Sequence, residues 1–124
     1  MIEQLVDTWM INNRVNLLLL DHLDAKALQN TLSTRGGRTV GQQLAHVYNV
    51  RRSWVEVVDK KRLSDLPPIE REQAHDKKVL IQGFTRSAAV FADAIRQGAE
   101  NSWKIKGSSR GLIPFVGYML AHEA

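Results

Sequence analysis

The chain has 124 residues, no cysteine, and a formal charge of +4 from 17 Lys+Arg against 13 Asp+Glu. That length suits a single domain, residues 1–124, with one real hydrophobic core, and 44% hydrophobic against 24% charged residues excludes wholesale disorder. Without cysteine there can be no disulfide, thiolate ligand or cysteine nucleophile, so any metal must be held by histidine or carboxylate.

The first segment, roughly Ile2 to Leu23, reads as an amphipathic helix, because Ile2, Leu5, Val6, Trp9, Met10, Leu17 and Leu20 recur at three- and four-residue steps. Asn13 and Asn16 interrupt that stripe. They read as hydrogen-bonded groups within a bundle or at its rim, or else one of them faces a polar cavity. His22 suits a helix C-terminus and its dipole, and is not counted as a ligand. Glu3 and Asp7 stand where a signal peptide would have its basic segment, and Leu17 to Leu20 is far too short a run to span a bilayer. A cytoplasmic protein is therefore expected.

A short helical turn at Asp24 to Leu28 leads to Ser33-Thr34-Arg35-Gly36-Gly37-Arg38, where the paired glycines mark a loop. The Lys-Ser/Thr of a phosphate-binding loop is missing there, and no strand precedes it. Thr39 is a good N-cap for a second helix, with Gln42 completing a capping box. This helix is expected to run to about Arg62, with Val40, Leu44, Val47, Val50, Trp54, Val57 and Val58 as its buried arc and His46 on the edge of it. Taken alone, His46 reads as a structural hydrogen-bonder.

Pro67-Pro68 breaks the chain. A third helix follows, polar from Glu70 to Lys78, with His75 solvated, then apolar through Leu80, Phe84, Ala88, Phe91 and Ile95, with Gly98 as its C-cap. Asn101 to Gly111, with Trp103 and Ile105, reads as a connection. The last stretch forms a helix from near Pro114, with Phe115, Met119 and His122 on one face. The basic groups Arg51-Arg52, Lys60-Lys61-Arg62 and Lys77-Lys78 are dispersed and read as solvated helix surface, so a nucleic-acid partner rests on charge alone. With no sustained period-two alternation, the fold class is all-α, an antiparallel up-down four-helix bundle.

Asparagines in the first stripe, Leu44-Ala45-His46 on the second helix and Leu120-Ala121-His122-Glu123-Ala124 near the end make a pattern that resembles the DinB/YfiT-like family of metal-dependent four-helix-bundle proteins. The resemblance covers nearly the whole chain in element order, and its specific part is the two histidine phrases. It implies one divalent metal, zinc or nickel, held by three histidines. His46 matches the first and His122 the second. The third would fall four residues after His122, at position 126, so the sequence is expected to be a piece that lacks the family's last helical segment. Three neutral imidazoles leave an open tetrahedral position, the mark of a catalytic rather than a structural zinc site. Glu123, about 100° around the helix from His122, is a candidate for acid–base or supporting work, against solvent exposure or an ion pair.

Two functions compete. By resemblance, the first is a metal-dependent enzyme, a thiol S-transferase or related detoxification catalyst acting on a small thiol and an electrophile, or a hydrolase. The second is a non-catalytic, stress-associated helical protein acting as a homodimer or through a partner, in which the histidines are structural.

Overall fold

The computed structural model describes residues 1–31, 36–100 and 111–124. The chain is all-α. Helix α1 spans Ile2–His22, α2 Ala25–Leu28, α3 Val40–Val58, α4 Lys77–Glu100 and α5 Leu112–Glu123, with short 3-10 turns at Lys60–Asp65 and Arg71–Gln73 between α3 and α4. Among the described residues there is no strand, only an isolated bridge between Thr31 and Thr39. The expected connection at residues 101–110 and the loop positions Ser33, Thr34 and Arg35 lie outside the described residues.

Packing on α4 organises the core. Its stripe of Leu80, Phe84, Ala88, Phe91 and Ile95 is buried, as the three- and four-residue spacing predicts. Helix α1 packs most extensively on α4, α3 also packs on it, and α5 touches both α1 and α4. Trp9 of α1 ties the first pair together. It is 1% exposed, its ring centre is 5.2 Å from that of Phe91, and its Nε1 donates to the Ala88 carbonyl at 3.1 Å. Burial of such a ring against aromatic and aliphatic neighbours contributes about 1.5–3 kcal/mol relative to exposure.

Helix α3 starts as its sequence predicts. Thr39 Oγ1 accepts from the Gln42 amide at 3.1 Å, and the Thr39 amide donates to Gln42 Oε1 at 3.0 Å, which satisfies two of the donors a helix N-terminus leaves open. Its buried face differs from the expectation. Gly41, Leu44, Ala45, Tyr48, Arg51 and Val55 point inward, whereas Val40, Val47, Val50 and Trp54 are half-buried and Val57 is 48% exposed. The true face is rotated about one residue step from the valine-rich one. Tyr48 and Arg51 belong to it because their polar tips find partners inside. The Tyr48 hydroxyl donates to the Pro67 carbonyl at 2.7 Å, and burial pushes its phenol above the usual tyrosine range.

The helix ends at Val58, short of Arg62, and α4 begins at Lys77 rather than at Glu70. The segment between them is pinned back onto α3. Asn49 brackets Ile69, donating to its carbonyl and accepting from its amide, each at 3.2 Å. His75 is half-buried rather than solvated, and its Nε2 lies 2.7 Å from Thr39 Oγ1. Gly41 permits this approach, since a Cβ there would collide with the Ala74 carbonyl oxygen and meet the His75 ring at 2.9 Å. At the other end of α4, Gly98 does not cap the helix, which continues to Glu100.

Candidate metal centre and its buried support

Two sets of side chains on α3 and α5 face different surroundings. On α5, Phe115, Val116 and Met119 are buried while His122 is exposed. On α3, His46 lies off the core face and is half-buried. The fold brings the two together, with ring centres 5.9 Å apart and planes inclined at 50°. Tyr118 lies one helical turn before His122, with their ring centres 6.2 Å apart. Among the described residues neither imidazole is engaged in a hydrogen bond, which leaves their ring nitrogens available to a ligand.

The His46 imidazole is held below the usual histidine range, first by desolvation and then by the charges of Arg38 and His122. A neutral imidazole is the form that binds a metal. With metal–nitrogen bonds of about 2.0–2.1 Å, two imidazoles on one ion have their ring centres roughly 5–6 Å apart, a separation close to that of this pair. Among the described residues no further His, Cys, Asp or Glu joins them to make a group of three.

Glu123 points the other way. Its side chain is fully enclosed, as is that of Arg51. Arg51 donates through Nε to Glu123 Oε2 and through Nη2 to Oε1, both at 2.7 Å, in the two-pronged geometry that makes arginine–carboxylate pairs strong. Nη1 donates to Asn13 Oδ1 at 2.9 Å, to Ser87 Oγ at 3.0 Å and to the Phe84 carbonyl at 3.2 Å. The guanidinium carbon lies 4.7 Å from the ring centres of both Trp9 and Phe84. Asn12 and Asn16 complete the carboxylate's shell, donating to Oε1 at 2.8 and 3.1 Å. The asparagines that interrupt the α1 stripe are therefore hydrogen-bonded inside the fold. Of the roles weighed for Glu123, the geometry is that of an ion pair.

Sequence reasoning missed Arg51, taken with Arg52 as solvated surface. A usable signal was present. Asn13 and Asn16 on one apolar stripe and Glu123, four residues after the buried Met119, are polar groups facing a core, and they need a common partner. Arg52 behaves closer to expectation, half-buried with its Nε donating to the Leu66 carbonyl at 2.6 Å.

His46 also lines a cavity of about 490 Å³, together with Arg38, Gln42, Asn49, Ile69 and Ala74. The cavity lies between the N-terminal half of α3 and the segment that Gly41 and Asn49 hold against it.

A model of the DinB family matches residues 1–123. The chain belongs to the DinB family. Neither the comparison with curated proteins nor the one with solved structures returns a match. Among the described residues, no helix of this DinB-family chain is long and apolar enough to cross a membrane.

Proposed function

We propose that this DinB-family protein is a divalent-metal-dependent enzyme whose centre is built on His46 and His122, with zinc or nickel as the ion. The observation that carries the reading is the approach of the two rings to 5.9 Å, on helices remote in sequence, beside an open cavity. Two imidazoles alone hold a divalent ion weakly. The proposal therefore includes a third protein ligand, which the family resemblance puts four residues beyond His122. A bound ion would supply Lewis-acid polarisation or an acidified ligand, the chemistry needed to activate a thiol or a water.

The chain's own residues have separate tasks in this account. His46, kept neutral, and His122 bind. Arg51 and Glu123 position, because their ion pair fastens the last turn of α5 to α3 one residue from His122. Glu123 is thus a positioning residue rather than an acid–base catalyst. The proposed arrangement is a single up-down antiparallel four-helix bundle of α1, α3, α4 and α5. The proposed reaction is transfer of a small thiol to an electrophile or a related detoxification step, in the cytoplasm.

The test is a native mass spectrum of the untagged protein, followed by thiol-transfer assays on the metal-loaded form. One divalent ion per chain, lost together with turnover in His46→Ala, is the expected result. Undiminished turnover in that variant would defeat the reading.

A second reading, a non-catalytic homodimer, is favoured by one feature of α1. Ile11, Val15 and Leu18 lie on its outer face and are 46%, 59% and 59% exposed, with Leu19 beside them at 50%. The same spectrum reports subunit number. A metal-free dimer with no turnover would support this reading.

A further inference from the structure

The cavity beside His46 carries two cations and, among the described residues, a single carboxylate, Glu70. Arg38 and Arg71 both line it and both are exposed. Among the described residues neither guanidinium has an ion-pair or hydrogen-bond partner. Arg51, Arg52, Arg62 and Arg96 are each engaged, by Glu123, by the Leu66 carbonyl, by Asp65 and Asp93, and by Glu3 respectively. Glu70 is the carboxylate on the same wall, so two guanidiniums against one acid leave an excess of positive charge. Gln42 lends its side-chain oxygen to the Thr39 amide, which leaves its NH2 group to face a ligand.

The floor beneath them is apolar, formed by the almost fully buried Ala45, Ile69 and Ala74. It is also fixed in place. Gly41 lets the Ala74 carbonyl approach α3, Asn49 grips Ile69 on both sides, and His75 meets the Thr39 hydroxyl. A shallow, open site with an apolar floor and a few convergent donors can hold a small molecule.

We propose that this cavity binds a small organic acid, its carboxylate held by Arg38 and Arg71 and its hydrocarbon body lying on Ala45, Ile69 and Ala74 with His46 at the edge. A carboxylate suits it better than a free phosphate for two reasons. The apolar floor gives an attached hydrocarbon something to cover, and the Glu70 carboxylate opposes a dianion more than a monoanion. Arginine's planar fork matches the two oxygens of a carboxylate, and among the described residues the two guanidiniums have no partner to give up on binding. The inference rests on His46 marking the functional face. It identifies the substrate class of that face.

The experiment uses two fluorinated acids, para-fluorobenzoate and trifluorobutyrate, followed by fluorine NMR at low salt on the intact protein, stripped of metal beforehand on a chelating resin and free of soluble chelator. Both acids are expected to bind, and the neutral para-fluorobenzamide is not. Arg38→Met and Arg71→Met should each weaken binding by about tenfold, as the loss of one charge-assisted contact implies. Arg86→Met, which alters a different cavity, should leave binding unchanged. Both arginines that are replaced are exposed, and a thermal melt verifies that the variants fold. Failure of both acids to bind, equal binding of acid and amide, or wild-type binding in the two arginine variants would each overturn the proposal. Working on metal-stripped protein separates this test from that of the metal site. Acid binding in a protein that takes up no zinc would defeat only the metal reading, and zinc binding without acid binding would defeat only this one.

Discussion

Two of the side-chain pairs through which helices α3 and α5 meet differ in almost every physical respect. Arg51 and Glu123 are enclosed and joined by two 2.7 Å bonds, with Asn12, Asn13, Asn16 and Ser87 around them. His46 and His122 lie beside each other nearer to solvent, and among the described residues no hydrogen bond holds either ring. The first pair has its partners and no access to solvent. The second has access and unmet bonding capacity. A buried, well-bonded pair can hold helices in register, and an open pair between the same helices can bind something. The proposed function gives fixing to the first pair and recognition to the second.

Breaking the buried pair should give the largest effect. Arg51→Met leaves the Glu123 carboxylate enclosed without its counter-charge, and should cost about 3–5 kcal/mol of unfolding free energy in a denaturant titration. The double variant Arg51→Met with Glu123→Leu should recover much of that loss, because no buried charge is then left unpaired. Equal losses in the single and double variants would show that the pair is not coupled.

The next effect concerns the cavity wall. Gly41→Ala puts a Cβ against the Ala74 carbonyl, and should cost about 1–3 kcal/mol as the Arg71–Ala74 stretch is pushed off α3. Amide exchange should rise in that stretch and not in α4. Thr39→Ala removes the cap and the contact with His75 together, and should cost about 1 kcal/mol by the same denaturant titration.

How far these features can be read from the sequence depends on whether the signal is local. The Thr39–Gln42 capping box and the α4 stripe from Leu80 to Ile95 are local patterns, and both form as spaced. The buried face of α3 is not local. Its valines outline one arc, but Gly41, Tyr48 and Arg51 are drawn inward by Ala74, the Pro67 carbonyl and Glu123, groups that only the tertiary fold brings near. His46 and His122 were legible through two short phrases and a family resemblance, while periodicity left each of them on the edge or face of an apolar stripe. Arg38 and Arg71 carried no signal, since an exposed arginine beside a cavity looks the same in sequence as one on open surface.

The smallest effect is electrostatic and sharpens the open pair. The His46 imidazole is depressed by desolvation first, then by Arg38 and His122. Its folded value lies below the unfolded one, so its contribution to stability is present above about pH 6.5 and is lost as pH falls toward the folded value. In a proton NMR titration of the histidine ring, Arg38→Met and His122→Ala should each move the midpoint part-way back up. The depression caused by desolvation should remain in both. A midpoint unchanged in both variants would mean that the two charges do not reach the ring.

The most direct test of the central claim is a calorimetric zinc titration of the metal-stripped protein alongside His46→Ala and His122→Ala. The account predicts one ion per chain in the wild type, and an affinity weakened at least about a hundredfold in each variant, since each loses a coordinating nitrogen. Zinc affinity that survives both substitutions unchanged would contradict it.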